Sequence, residues 1–205
     1  NERLRGVSRM ESLDIILEKA DRDYSDEEKQ DMAGRKNEIY RQSLSRLTPE
    51  DILPGVTGWL DELKARGIKT AIGSSSRNAG PILYAIGLTD AFDAIVDGTH
   101  IKHSKPDPEV FTLAGEQLGI PPENCLVVED ADAGVDAGVA AGMPVLAVGS
   151  AAGHPAAAYR PLSADPASAG AAAEAAVRHR PRVVRGHGGA RLLRPLPGPR
   201  LPGMA

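Results

Sequence analysis

Four polar residues stand just beyond apolar runs of this chain, and their types are those that handle a phosphoryl group. Ser74 comes after residues 68–72, Lys105 beyond the loop that leaves residues 92–96, and Glu129 with Asp130 directly after Leu126-Val127-Val128. A hydroxyl and the backbone N–H groups of a helix start can grip phosphate oxygens. A lysine supplies a mobile positive charge. Paired carboxylates suit a hard cation such as Mg2+, which takes oxygen ligands. Phosphoryl transfer is catalysed mainly by positioning and by offsetting charge, so these parts cover most of what the reaction needs. A nucleophile or water-activating base is not among them. Singly, each position has a plainer reading: Ser74 as a turn residue, Lys105 as a solvated loop charge, Asp130 as a helix cap and Glu129 as a solvated carboxylate. Together, in sheet order, they are hard to assign to chance.

What must position them is an α/β core. Apolar, β-branched runs at 68–72, 92–96, 126–128 and 145–148 read as strands. Between them lie helical stripes: Ile82, Leu83 and Ile86; then Val110, Phe111, Ala114 and Leu118, ended by Gly119; then the Ala/Val-rich segment with Gly134 and Gly138, ended by Gly142. Val56, Trp59, Leu60 and Leu63 form a further stripe that Gly67 ends. Such alternation predicts parallel strands joined by helical crossovers, with ligands bound outside the carboxyl ends of the strands. Residues 8–46 read instead as two helices, each opened by a capping box, Ser8 to Glu11 and Ser25 to Glu28. Their apolar stripes are Leu13, Ile16, Leu17 and Ala20, then Met32, Ile39, Tyr40 and Leu44. Thr48-Pro49 and Leu53-Pro54-Gly55 punctuate the exit from this module. The expected organisation is a helical module over 1–50, a core over 51–149, and a tail over 150–205.

Composition separates that tail from the rest. The chain has 205 residues and a net charge of −4. Residues 1–149 carry 16 Lys and Arg against 26 Asp and Glu, a balance of −10, while residues 150–205 carry 8 Arg against 2 acids, a balance of +6. From Ser150 onward Ala, Gly, Pro and Arg dominate and no convincing strand is visible. A disordered basic tail is one reading, and a shifted reading frame in GC-rich coding DNA is the favoured one. The sequence begins at Asn1 rather than Met, so an N-terminally incomplete product is expected. A single cysteine, Cys125, excludes an internal disulfide. With that lone thiol and no signal peptide or membrane-length run, the expectation is a cytoplasmic protein without membrane contact. Aromatics at 3% argue against base-stacking recognition of nucleic acid.

The motifs carry a resemblance. Ile72-Gly73-Ser74, Ser104-Lys105-Pro106-Asp107-Pro108 and Val128-Glu129-Asp130-Ala131-x-Ala133-Gly134 resemble the second, third and fourth motifs of the haloacid dehalogenase superfamily of phosphotransferases. Gly6-Val7-Ser8-Arg9-x-Glu11-Ser12-Leu13, Arg35-Lys36-Asn37 and Ser76-Arg77-Asn78 resemble its β-phosphoglucomutase family. The resemblance runs from Asn1 to about Gly149. It implies a Rossmann-like core with a parallel sheet, plus a small α-helical cap domain. It implies that Glu129 and Asp130 bind Mg2+, and that Ser74 and Lys105 hold and charge-balance the phosphoryl group. Ser75, Ser76, Arg77 and Asn78 would line the same loop, and Arg9 would grip a distal phosphate. Gly6, Val7, Ser8 and Ser12 with Lys36 would shape a sugar site on the cap. The implied chemistry interconverts β-D-glucose 1-phosphate and β-D-glucose 6-phosphate through the 1,6-bisphosphate and an aspartyl phosphate, in a monomer whose partners are small phosphosugars.

The family's first motif, D-x-D-G-V, supplies the nucleophile and the general acid/base, and no counterpart occurs in this sequence. Asp130-Ala131-Asp132 has the D-x-D letters but belongs to the fourth motif. The first strand and first cap helix are therefore expected to be missing, and the chain as written is expected to be inactive. A sugar-phosphate phosphatase on the same scaffold and a non-catalytic remnant are the competing readings.

Overall fold

The computed structural model describes residues 2–4 and 7–159. Its first part is a pair of helices, α1 (Arg9–Leu17) and α2 (Asp26–Leu44). Both capping boxes form. The Ser8 and Ser25 hydroxyls each accept the third helical N–H at 3.2 Å, while Glu11 and Glu28 accept the cap N–H groups at 2.8 and 2.9 Å. Lys29 Nζ reaches Asp14 Oδ1 at 2.8 Å and ties the two helices together. Leu13, Ala33 and Leu44 are buried, but Ile16, Ile39 and Tyr40 of the expected stripes are exposed. Two helices alone offer each other too little surface to cover both apolar stripes, and no third cap helix stands among the described residues.

After a short 3-10 turn at Pro49–Asp51, strands and helices alternate. The order is α3 (Val56–Ala65), β1 (Ala71–Gly73), α4 (Ala79–Ala85), β2 (Ala94–Val96), α5 (Glu109–Leu118), β3 (Val127–Glu129), α6 (Asp132–Ala140) and β4 (Val145–Ala147). The chain belongs to the α/β class expected from the alternation, of the Rossmann type that the resemblance implies. The strands are shorter than their apolar runs. Ile68 N–H is spent closing the end of α3 on Leu63 O at 2.9 Å, and Thr70 N–H goes to the Asp93 carboxylate at 2.8 Å, so the ladder starts at Ala71 paired with Ala94. Cys125 N–H likewise closes a turn on Pro122 O at 3.0 Å, and β3 begins only at Val127.

The sheet is in two halves. β1 pairs with β2 and β3 with β4, both in parallel, and among the described residues no ladder joins β1 to β3. The carboxyl ends of β1 and β3 open into one cleft. One core unites the halves: Val96, Val110, Phe111 and Ala114 are continuous with Val127, Val135, Val145 and Ala147. Helix α5 lies against β1 and β2, α6 against β3 and β4, and the two helices touch. Gly138 lets α6 approach closely, since a Cβ there would fall 2.7 Å from Val145 Cγ2.

Beyond the expected boundary at 149 the described chain stays on the core. Ala151 is buried, and Tyr159 lines up beside β4, its N–H donating to Val145 O at 3.0 Å and its carbonyl accepting from Ala147 N–H at 3.2 Å. Tyr159 comes to lie there because β4 offers an outer edge whose backbone groups it can pair. Residues 160–205, the remainder of the expected tail, lie outside the described residues. None of the described helices is long and apolar enough to cross a membrane.

Arg22 and the Ser25 N–H hold the Glu28 carboxyl at about 2, against an ordinary 4.5. A carboxylate depressed in the folded state stabilises it fully above its unfolded pKa, and that contribution is lost as pH falls through the folded value. Acid titration followed by helical circular dichroism should therefore show cap helicity falling between about pH 4 and pH 2. Glu28→Gln should remove that part of the transition.

Candidate active site

Each polar group in the cleft is placed by the element before it. β1 ends at Gly73, and a Cβ there would meet the Phe111 ring at 2.9 Å, so glycine lets the strand lie on α5. Ser74 N–H continues the ladder onto Val96 O at 2.9 Å. The Ser74 hydroxyl then accepts from Ser76 N–H, and the Ser76 hydroxyl from Asn78 N–H, both at 3.1 Å. These side-chain turns curl the 74–78 loop into the start of α4. Lys105 arrives from the loop between β2 and α5, across a cis Lys105-Pro106 bond, and its N–H donates to Ser75 Oγ at 3.3 Å. Glu109 shapes that loop: its carboxylate accepts from Lys102 and His103 N–H at 2.9 and 2.7 Å, and the His103 N–H leads the contacts that hold the Glu109 carboxyl below its ordinary value.

Lys105 Nζ donates to Glu129 Oε2 at 2.8 Å, with side chains 6% and 11% exposed. The ammonium also sits 4.6 Å from the centre of the Phe111 ring. The plainer readings of three positions are thereby settled. Lys105 is not a solvated loop charge, and Glu129 is not a solvated carboxylate. Asp130 does not cap α6, whose cap position is Ala131 without a side-chain bond. Instead Asp130 lines the cleft, and its carbonyl accepts from Ser150 Oγ at 2.8 Å.

The cleft encloses about 420 Å3 between Val7, the 73–76 segment, Lys105 and the 129–131 segment. Of the expected site residues it gathers Val7, Ser74, Ser75, Ser76, Lys105, Glu129 and Asp130. The others stand outside its lining. The Ser8 hydroxyl is engaged as the cap of α1, and Ser12 is buried within that helix. Arg9 and Lys36 are exposed on the cap. Arg77 turns away, its Nε donating to Gly98 O at 3.1 Å. Asn78 is buried and donates through Nδ2 to Asn37 Oδ1 of α2 at 3.0 Å, linking core to cap. Gly6 lies outside the described residues. Cys125 is no candidate nucleophile, since burial pushes its thiol up, away from the reactive thiolate.

A family model for haloacid dehalogenase-like hydrolases matches residues 3–142. The chain belongs to that family. It is 46% identical over 151 residues to the β-phosphoglucomutase of Bacillus subtilis, an alignment covering 73% of this chain and 67% of that protein. It is 36% identical over 118 residues to the fructose-1-phosphate phosphatase of Escherichia coli, covering 57% of this chain and 61% of that one. A crystal structure of β-phosphoglucomutase from Clostridium difficile superposes with a TM-score of 0.72 at 42% identity, over 76% of this chain and 71% of that chain. The chain thus spans about two thirds of the length of these relatives.

Sequence reasoning missed what four residues do to shape the cleft. Phe111 was visible only as one position of an apolar stripe, with nothing to mark it as the floor under Lys105. Asp97 and Gly98, which support the 74–78 loop from behind, sit in a polar loop without a motif. Gly134 was visible as part of a motif, but not its purpose: a Cβ there would fall 2.1 Å from Glu129 Cδ. Gly134→Ala should force Glu129 off Lys105 and cost about 1–3 kcal/mol of stability in chemical denaturation. Gly80→Ala, in open space on α4, should instead stabilise by about 0.4–1 kcal/mol. Equal effects of the two substitutions would contradict the placement of Glu129.

Proposed function

We propose that this chain is the phosphate- and metal-binding portion of a β-phosphoglucomutase. The observation that carries the reading is the composition of one cleft. Ser74, Lys105, Glu129 and Asp130, from three separate segments of the core, converge there under Val7 of the cap. The 46% identity to the Bacillus mutase supports it. Glu129 and Asp130 are hard oxygen donors side by side, and the space left by Gly134 lets the Glu129 carboxylate lie in the cleft, so the residues fit Mg2+. When bound, Mg2+ would offset charge on the phosphoryl oxygens.

The rest falls to the chain's own groups. The Ser74 hydroxyl and those N–H groups of the 74–78 loop that the ladder and the serine turns do not take orient the phosphoryl oxygens. Lys105, held by Glu129, faces the same oxygens with a fixed positive charge. The cap, reaching the cleft at Val7, excludes water that would otherwise hydrolyse an aspartyl phosphate. Arg9, an exposed guanidinium at the start of α1, is assigned to the distal phosphate and Lys36 on α2 to the sugar when the cap closes; an arginine fork binds phosphate bidentately.

The nucleophile is a different matter. Both carboxylates of the cleft are assigned to the cation, and among the lining residues no aspartate remains to accept the phosphoryl group. Among the described residues no ladder joins β3 to β1, and a further strand whose carboxyl end reached the same cleft would deliver one. The 205-residue chain alone is expected to turn over no β-D-glucose 1-phosphate in the presence of Mg2+ and β-D-glucose 1,6-bisphosphate. A version preceded by an apolar strand ending in D-x-D-G-V and by a cap helix is expected to form glucose 6-phosphate, followed by 31P NMR. In that version Arg9→Ala should lower mutase turnover by about a hundredfold or more, as expected for a lost charged contact to the transferring substrate. The phosphatase relatives favour a second reading, in which the completed protein releases inorganic phosphate and Arg9→Ala leaves that release intact. Turnover by the 205 residues alone would defeat the assignment of both carboxylates to the cation.

A further inference from the structure

The 74–78 loop is short, polar and half-exposed, yet the proposed function needs it to hold one shape. Its own serine turns account for part of that. The remainder comes from the turn that follows β2. Gly98 N–H donates to Ser76 O at 3.1 Å, and Gly98 O accepts from Arg77 Nε at 3.1 Å. The two backbones are in such close contact that a Cβ on Gly98 would lie 2.5 Å from Ser75 O and 3.1 Å from Arg77 N. Gly98 is therefore the surface against which the loop rests.

Gly98 in turn is held by the residue before it. Asp97 is buried, with its side chain 10% exposed, at the carboxyl end of β2. Its Oδ1 accepts from Thr99 N–H at 2.9 Å and from the Thr99 hydroxyl at 2.6 Å, and lies 3.0 Å from His100 Nδ1. His100 N–H closes the turn on Asp97 O at 2.9 Å. One carboxylate oxygen thus gathers both Thr99 donors beside the His100 ring and fixes the backbone on both sides of Gly98. Burial works to raise the Asp97 carboxyl; the Thr99 hydroxyl and amide, with His100, outweigh it and leave the group below its ordinary value. The carboxylate is accordingly charged at neutral pH and makes strong, charge-assisted hydrogen bonds.

We propose that Asp97 is a positioning residue for the phosphoryl group, acting through Gly98 on the 74–78 loop without touching the substrate. This rests on the phosphotransfer reading above for what the loop binds. The loop's dependence on Asp97 stands on the hydrogen bonds alone. A loop released from Gly98 loses its preorganised N–H groups, and oriented donors are what a phosphate site supplies.

The test uses the full 205-residue chain with two readouts: amide hydrogen exchange, and NMR-detected titration with inorganic phosphate in the presence of Mg2+. Asp97→Ala should speed exchange at Ser76, Arg77 and Gly98 by about tenfold and weaken phosphate binding by about tenfold, with amides of α2, α6 and β4 unchanged. Asp97→Asn keeps an oxygen for the Thr99 N–H and should restore most of both. Asp93→Ala removes the carboxylate that takes Thr70 N–H at the opposite end of the sheet, and should leave both readouts as in the parent chain. If Asp97→Ala fails to fold, Thr99→Val removes one bond of the network, and about a threefold effect on the same amides is expected. Unchanged exchange at the loop, or a rise spread evenly over the chain, overturns the proposal. A parent chain that binds no phosphate overturns the phosphotransfer reading, while the exchange pattern still decides whether Asp97 holds the loop.

Discussion

The structure turns on one ion pair. Lys105 and Glu129 are both largely withdrawn from water, and a charge in that position is tolerable only when its partner is close. Their 2.8 Å contact joins the loop after β2 to the end of β3, and so reaches across the two halves of the sheet. Neighbouring features follow from accommodating it. Phe111 lies beneath the ammonium, and Gly134 lacks the Cβ that would collide with the carboxylate. The Ser75 hydroxyl accepts the Lys105 N–H, so the loop that would hold phosphate is tied to the charge that would balance it. A change at any of these positions is felt by the others.

The cap meets this core where α2 lies against α4 and where Val7 borders the cleft. The Asn37–Asn78 bond connects α2 to the first residue before α4. Asn78 therefore belongs to two structures at once, as the last residue of the loop and as the core's end of a bridge to the cap. Arg9 and Lys36 remain on the cap's exposed surface.

How much of this could be read from the residues depended on the kind of information. The alternation of elements was legible because apolar periodicity reports burial directly, and both capping boxes were legible because they are local hydrogen-bond patterns with fixed spacing. Ser74, Lys105, Glu129 and Asp130 were legible because each follows a strand, and parallel strands deliver their ends to one place. Strand lengths were not: Ile68 and Thr70 look like strand residues, but their N–H groups are spent on Leu63 O and on Asp93. Nor was the behaviour of residues 150–159, since an Ala/Gly-rich stretch carries no periodicity to announce that Tyr159 will lie beside β4. The Asp97 turn was hidden for a related reason. Its role is a contact between two loops far apart in sequence, and neither loop has a repeating pattern from which the contact follows.

The divided sheet has a consequence for how the molecule comes apart. A continuous parallel ladder makes strands open together, because each backbone bond lost exposes its neighbours. Here β1 with β2 and β3 with β4 have separate ladders, and what couples them is side-chain packing over α5 and α6 plus the Lys105–Glu129 contact. Each half thus keeps its own backbone ladder, and the one apolar core they share is what makes them open together. The seam between the ladders passes through the cleft itself. Anything that binds there, touching Ser74 on one side and Asp130 on the other, also serves as the fastening between the two halves.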